Sequence, residues 1–422
     1  MAAKRKLSDE DWAMLRFEVG ELFTPSTPVS TRELFAGRPG QILKLLDTVS
    51  ERGRHAIIYG EPGVGKTSIA QVLQLVIPTR TSRVRYIRKP VFSTDTFSSI
   101  WLEVFREMQF SADAGEGMRT YSVAELYKDG VQPSDVVREL ANFSENDLPI
   151  IVIDEFNLLK DQGSSRLMAE TIKAVSDASL KVTIVVVGIS DNVGELVSGH
   201  ESIIRCSEEI LMPRMNNEEM KELLEKRAAK LGMSFDGDAK WKIINLSKGL
   251  PAFGHALGKG AVVAAIDSRR LQVKEVDVDA SIDELLNSSQ HTLKTDYLLA
   301  THSNQERALY KQILTACALA RSDESGYFTP KQVQQPLASI LKKPIGIDGF
   351  NDNLKDFTED KRGRVLQRLG TERIYRYRFR NPSMQPYVIM AGIKEDFLDE
   401  KAKLALSSPE QPDLFPNEYE QP

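Results

Sequence analysis

One octapeptide constrains this chain more than any other feature: Gly60-Glu-Pro-Gly-Val-Gly65-Lys66-Thr67, the pattern G-x-x-x-x-G-K-[ST]. A short apolar run, Ala56–Tyr59, enters it and a helical pattern leaves it, which is the strand–loop–helix setting the pattern requires. Glycines let successive backbone N–H groups turn inward around a phosphate, and the N-terminus of the following helix adds positive potential. Lys66 is placed to reach β- and γ-phosphate oxygens of ATP, and the Thr67 hydroxyl to ligate Mg²⁺. The candidate cofactor-binding residues of the loop are Gly60, Glu61, Pro62, Gly63, Val64, Gly65, Lys66, Thr67 and Ser68. A glycine-rich turn that binds nothing is the competing reading, and the flanking strand and helix weigh against it.

A metal-side partner for this loop lies about 90 residues on, in Pro149-Ile-Ile-Val-Ile-Asp154-Glu155. An apolar run bounded by a proline and two carboxylates reads as a strand buried on both faces. At its C-terminal end Asp154 can hold Mg²⁺, directly or through water, and Glu155 can orient and deprotonate an attacking water. The next buried run, Val182–Val187, ends in Gly188-Ile-Ser190-Asp191. In a parallel sheet these polar ends face the crevice that Asp154 faces, so Ser190 and Asp191 are candidates to touch the γ-phosphate or the lytic water. Hydrolysis follows more readily than phosphoryl transfer to a second substrate, since nothing marks an acceptor pocket.

Strands alternating with helices up to about residue 215 predict an α/β class with a parallel sheet covered on both faces. The N-terminal stretch 1–30 ends in TPSTPVST and reads as an arm or linker; 31–215 reads as the nucleotide-binding core. Residues 216–300 are helical by period, with a Gly-Leu-Pro break at 249–251, and read as a lid. Residues 301–394 combine helices with the alternating strand of TERIYRYRFRNP, as a winged helix-turn-helix does, and 395–422 reads as an acidic, disordered tail.

Composition removes several other classes. At 41% hydrophobic and 27% charged residues, a chain of 422 is globular and long enough for two to four domains. No apolar run reaches membrane-spanning length and the charged N-terminus is no secretory signal, so a cytoplasmic setting is expected. Cys206 and Cys317 stand far apart and the five histidines have no zinc spacing, which leaves Mg²⁺ as the expected metal. The net charge of −5 is an average over segregated charge. Residues 361–380 carry eight arginines and lysines against Glu372 alone, whereas 395–422 carry eight acids against two lysines. Arg376, Arg378 and Arg380 share one face of a strand, and with Arg362 and Arg364 they are candidates to follow a DNA backbone; a solvated face is the alternative.

Phosphate loop, Asp-Glu strand, polar-ended next strand, helical lid and winged helix together resemble an AAA+ P-loop ATPase. Phe35-Ala-Gly-Arg38 resembles the box that embraces adenine in that superfamily. The series from Gly188-Ile-Ser-Asp through Arg205 to Met212-Pro-Arg-Met resembles the origin-recognition/cell-division-control initiator clade and its bacterial relatives. That resemblance implies an αβα core, Phe35 and Arg38 at the base, Ser190 and Asp191 at the sensor position, and Arg205 as a finger reaching a neighbouring subunit's nucleotide, with Arg214 as runner-up. It thereby implies a homo-oligomer. Gly249-Leu-Pro-Ala-Phe-Gly-His255 lacks the lid arginine of the initiators and is more similar to the lid of STAND-type signalling ATPases; His255 is the candidate there. Gln411-Pro-Asp-Leu414-Phe415 resembles a bacterial sliding-clamp peptide. The expected function is a Mg²⁺-dependent ATPase working as a switch or motor on DNA (a loader, transposition or phage-defence ATPase) with a separately encoded effector. The alternative is a STAND-like scaffold whose winged helix binds protein.

Overall fold

The computed structural model describes residues 7–29, 31–78, 83–113, 118–190, 203, 205–288, 291–303, 308–323, 325–371 and 374–398. Contacts divide the chain into two compact units, residues 28–61 with 65–213, and residues 1–27 and 62–64 with 214–422.

The first unit is built on a parallel sheet in the order β2-β5-β6-β1-β7. Its strands are β1 (His55–Gly60), β2 (Arg83–Pro90), β5 (Asp147–Asp154), β6 (Thr183–Ile189) and β7 (Ser207–Leu211). The three central strands are the uninterrupted apolar runs of the sequence, buried on both faces. One face seats Ile57, Ile151, Ile153, Ile184 and Val186 against α4 (Phe97–Glu107) and α6 (Gln162–Asp177), through Trp101, Phe105, Met168 and Ile172. The other face carries the phosphate-loop helix α3 (Lys66–Val76). Helix α2 (Pro39–Ser50) buries Leu45 and Val49, while Leu43, two positions before Leu45 and so on the opposite side of the helix, is 60% exposed. The polar stretch after α4 contains an antiparallel pair, β3 (Gln109–Asp113) and β4 (Met118–Ser122), followed by α5 (Pro133–Leu140). β7, Ser-Glu-Glu-Ile-Leu, escapes detection in the sequence because as an edge strand it carries acids where a central strand carries valine.

In the second unit, the stretch read as an N-terminal arm contains α1 (Asp9–Leu22), started by a reciprocal cap in which the Ser8 hydroxyl accepts from the Asp11 amide at 3.1 Å. It packs along α9 (Pro251–Asp267), with α7 (Asn217–Lys230), α8 (Gly237–Ser247) and α10 (Glu275–Ser288) completing a helical bundle. Phe23 is fully buried, and a Cβ on Gly258 would lie 2.6 Å from its ring, so the bundle leaves only hydrogen there. The Gly-Leu-Pro break is the α8–α9 corner. Gly249 has φ +73°, and a Cβ on it would meet the Met215 carbonyl oxygen at 2.6 Å.

Helices α11 (His291–Thr301), α12 (Tyr310–Leu319), α13 (Pro330–Leu341), α14 (Asn351–Asp356) and α15 (Met384–Lys394) follow. The antiparallel pair β8 (Leu366–Leu369) and β9 (Arg376–Phe379) lies between the last two, and Phe328 adds a bridge to Tyr377. Every residue of α12 from Ile313 to Leu319 is buried. Among the described residues, no helix is long and apolar enough to cross a membrane.

Candidate nucleotide site

The loop leaves β1 with positive φ at Gly60 (+143°), Gly63 (+81°) and Gly65 (+96°). A side chain at Gly60 is blocked by the Met212 carbonyl oxygen, 2.6 Å from where a Cβ would stand; at Gly63 and Gly65 the backbone angle alone demands glycine. Gly65 caps α3, so Lys66 and Thr67 open that helix. Lys66 is 9% exposed and its ammonium donates to the carbonyl oxygens of Gly60 (2.9 Å) and Glu61 (2.6 Å). Burial lowers its pKa to about 8, with the carboxylates of Asp154, Glu61 and Glu155 pulling the other way. Thr67 is half-buried beside it. The Ser68 hydroxyl accepts from the Val29 amide at 3.1 Å, which ties it to the segment before α2.

Asp154 ends β5 and is 1% exposed. Its Oδ2 accepts from both Nε (3.0 Å) and Nη2 (2.6 Å) of Arg88 on β2, and its Oδ1 accepts from the Glu155 amide at 2.9 Å. Glu155 is exposed and left-handed (φ 57°, ψ 34°), a costly conformation for a residue with a Cβ. Buried Phe156 anchors the single 3₁₀ turn that follows, Phe156–Leu158. From that turn Asn157 Oδ1 accepts from the Ile189 amide at 2.8 Å, fastening the end of β6 to the Asp-Glu corner. Since β6 lies between β5 and β1, Ser190 follows a strand end flanked by Asp154 on one side and the loop on the other. Asp191 lies outside the described residues.

Arg88 and Asn157 are the residues that sequence reading missed. The register Pro90↔Asp154 brings Arg88 to the carboxylate, and nothing local in the sequence reveals that β2 borders β5. Of the adenine box, Phe35 is half-buried, while Arg38 is 2% exposed with φ +66° and donates from Nη2 to the Pro213 carbonyl oxygen at 2.6 Å. Arg205 is exposed just ahead of β7; the pairing His55↔Ser207 places it at the end of β1 opposite the loop. Arg214 donates to Gln385 Oε1 at 2.6 Å. His255 is 4% exposed, and its Nδ1 accepts from the Thr24 amide at 3.0 Å. Burial, and then the Arg227 charge, lower its pKa to about 3, so it is a neutral, packed imidazole.

The arginines of the C-terminal basic stretch are largely engaged within their own unit. Arg376 pairs with Asp323 at 3.1 Å, Arg364 with Asp360 at 2.8 Å, and Arg378 stands 4.6 Å over the Tyr327 ring. Arg362 lies 3.7 Å over the Tyr310 ring and donates to the His302 carbonyl oxygen. Arg380 is exposed. Gln411, Leu414 and Phe415 lie outside the described residues.

These groups suit a nucleoside triphosphate and a divalent cation. The loop has the glycine angles of an inward-facing amide cradle, Lys66 is a buried cation next to it, and Thr67 and Asp154 offer hard oxygens. An ionised carboxylate has about four acceptor sites, and three of those on Asp154 are taken, which leaves one on Oδ1.

Comparison with known proteins agrees with this fold. A Walker-type ATPase of Pyrococcus abyssi superposes with a TM-score of 0.51 at 16% identity, covering 87% of this chain and 99% of that one. The Orc1 protein of Aeropyrum pernix, solved in complex with DNA, gives 0.48 at 16% identity, covering 90% and 97%, respectively. Cdc6p of Pyrobaculum aerophilum gives 0.45 at 17% identity, covering 90% and 99%. No curated protein matches the sequence significantly. The P-loop αβα core with a parallel sheet expected from the sequence is the one present. The model of the family described as novel STAND NTPase 1 matches residues 28–335, most of the chain including the loop, the Asp-Glu corner and helices α7 to α10, and the chain belongs to that nSTAND1 family.

Proposed function

We propose that this chain is a Mg²⁺-dependent ATPase that uses its nucleotide state as a switch. The observation that carries the proposal is the juxtaposition of two things on one parallel sheet: the glycine-angled loop with buried Lys66, and the Asp154–Glu155 corner. Lys66 exchanges its two loop carbonyls for β- and γ-phosphate oxygens, and the inward amides hold the rest of the triphosphate. Thr67 and Asp154 would hold the cation, which supplies charge neutralisation of the γ-phosphate when bound. Glu155, exposed and fixed by its left-handed turn, accepts a proton from the attacking water as ATP and water become ADP and phosphate. In the Glu155→Gln variant ATP binding persists and turnover is lost; turnover at the wild-type rate would refute the base assignment.

Arg205 stands at the far end of β1 from its own phosphate loop, about 20 Å away at strand rise over six residues. A role at the phosphates is therefore open to it only in a neighbouring copy, as a homo-oligomer with shared sites would provide. Mixing Arg205→Ala with Glu155→Gln protein restores part of the activity under this reading; no restoration in a demonstrated oligomer excludes Arg205.

For the output, the first reading is action on DNA with a separately encoded effector, through a C-terminal winged helix whose wing is β8–β9. Its support is the concentration of eight cations in residues 361–380. The second is a signalling scaffold whose C-terminal module binds protein, supported by the partners that Arg362, Arg364, Arg376 and Arg378 already have within the unit. ATPase rate measured with and without DNA at low salt separates them, since the scaffold gains nothing from DNA.

A further inference from the structure

We propose that Arg88 is a positioning residue that withholds one oxygen of Asp154 from the metal and so makes cation binding depend on the nucleotide. This rests on the reading of Asp154 as a metal-side carboxylate.

The argument starts from acceptor counting. Both donors of Arg88, Nε at 3.0 Å and Nη2 at 2.6 Å, fall on Oδ2, and none falls on Oδ1. Oδ1 takes the Glu155 amide and keeps one site open. Asp154 therefore meets a cation through Oδ1 only. That suits Mg²⁺, which is held by one or two carboxylate oxygens plus waters and phosphate, rather than by a cage of protein ligands.

Charge completes it. Asp154 is 1% exposed and its single negative charge is already matched by the Arg88 guanidinium, with Lys66 close enough to feel it. With Glu155 and Glu61, which also act on Lys66, the corner keeps a small surplus of negative charge, and Arg88 removes part of the attraction that a divalent cation entering alone would meet in surroundings where water screens poorly. A triphosphate adds the negative charge that Arg88 takes away. Arg88 is 27% exposed and hydrogen-bonds the carboxylate within one sheet, from β2 to β5, so the arrangement belongs to the fold rather than to a mobile loop.

The test measures Mn²⁺, a spin-active probe for the Mg²⁺ site, by electron paramagnetic resonance on the full chain without nucleotide. Wild type binds it weakly. Arg88→Ala binds it at least about tenfold more tightly, as expected when a unit charge is removed a few ångströms away, and Asp154→Asn in that background abolishes the gain. Arg88→Lys keeps the charge and stays near wild type. A folded Arg88→Ala protein (circular dichroism as control) that binds Mn²⁺ no more tightly than wild type overturns the proposal. If Arg88→Ala does not fold, Arg88→Gln replaces it under the same criterion. Repeating the titration with ATP separates the two levels. Binding of Mn²⁺ with ATP that is indifferent to Asp154→Asn refutes the metal-side reading itself. Binding that needs Asp154 with ATP, while nucleotide-free binding takes no account of Arg88, refutes only the present inference.

Discussion

The nucleotide site and the C-terminal arginine stretch are both rich in charge, but they hold it differently. At the first, the charges rest on partners that a ligand can replace or share: Lys66 on its own loop carbonyls, Asp154 with a site left on Oδ1. At the second, they are invested in the fold: Arg362 on a tyrosine ring and a helix-end carbonyl, Arg376 and Arg364 on carboxylates. Counting charge along a sequence does not tell these apart. What separates them is whether a group's present partner is interchangeable with the ligand's atoms.

The largest effect that would break this contrast is at Glu155. Glu155→Gln should lower turnover by about 10²–10⁴-fold, the usual yield of a general base, while nucleotide affinity stays within a few-fold; both are read from single-turnover ATPase and fluorescent-nucleotide titration. Next, Lys66→Ala should weaken ATP binding by at least about tenfold, the scale of a lost charged hydrogen bond, without lowering the melting temperature of the free protein. On the other side, Arg362→Ala should cost about 1–2 kcal/mol of stability in a denaturant titration, because it removes a ring contact and a backbone cap together. Arg380→Ala should leave stability unchanged, so a loss of DNA binding in that variant is a clean sign of a nucleic-acid face. A stable Arg362→Ala protein would remove the distinction between invested and available charge.

A last prediction concerns pH. Burial holds His55 at about 4 and His255 at about 3, both below the free value near 6.5. Between those values the unfolded chain binds protons that the folded chain refuses, so stability falls as pH drops from about 6.5 toward 4, by at most about 1.4 kcal/mol per pH unit for each histidine. His255→Gln should flatten the acid limb of the melting curve, and an unchanged limb would show that the imidazole is charged in the fold.

The parts legible in the sequence were those in which a few neighbouring residues carry the physics. The loop is one, because Gly60, Gly65, Lys66 and Thr67 lie together and only glycine takes their turn. The buried strands are another, because burial on both faces leaves an unbroken apolar run at Ile150–Ile153. The illegible parts depend on distant residues meeting. Arg88 is an ordinary arginine until β2 is known to border β5, and Asn157 an ordinary turn residue until Ile189 is placed against it. Helix α1 was hidden differently: its charged face and the Pro/Ser/Thr stretch behind it look like a linker, while the fit of Phe23 against Gly258 is made with a helix more than 200 positions away.

The sheet order also has a consequence for how the chain is made. β1 emerges early, yet its two neighbours are β6 and β7, so that Ala56 waits for Val185 and His55 for Ser207. At about 5–20 residues per second of synthesis, that is a delay of about 6–30 s during which an apolar strand has no native neighbour. The same reach across sequence that closes the site therefore makes the half-synthesised core the form most exposed to aggregation and most in need of a chaperone.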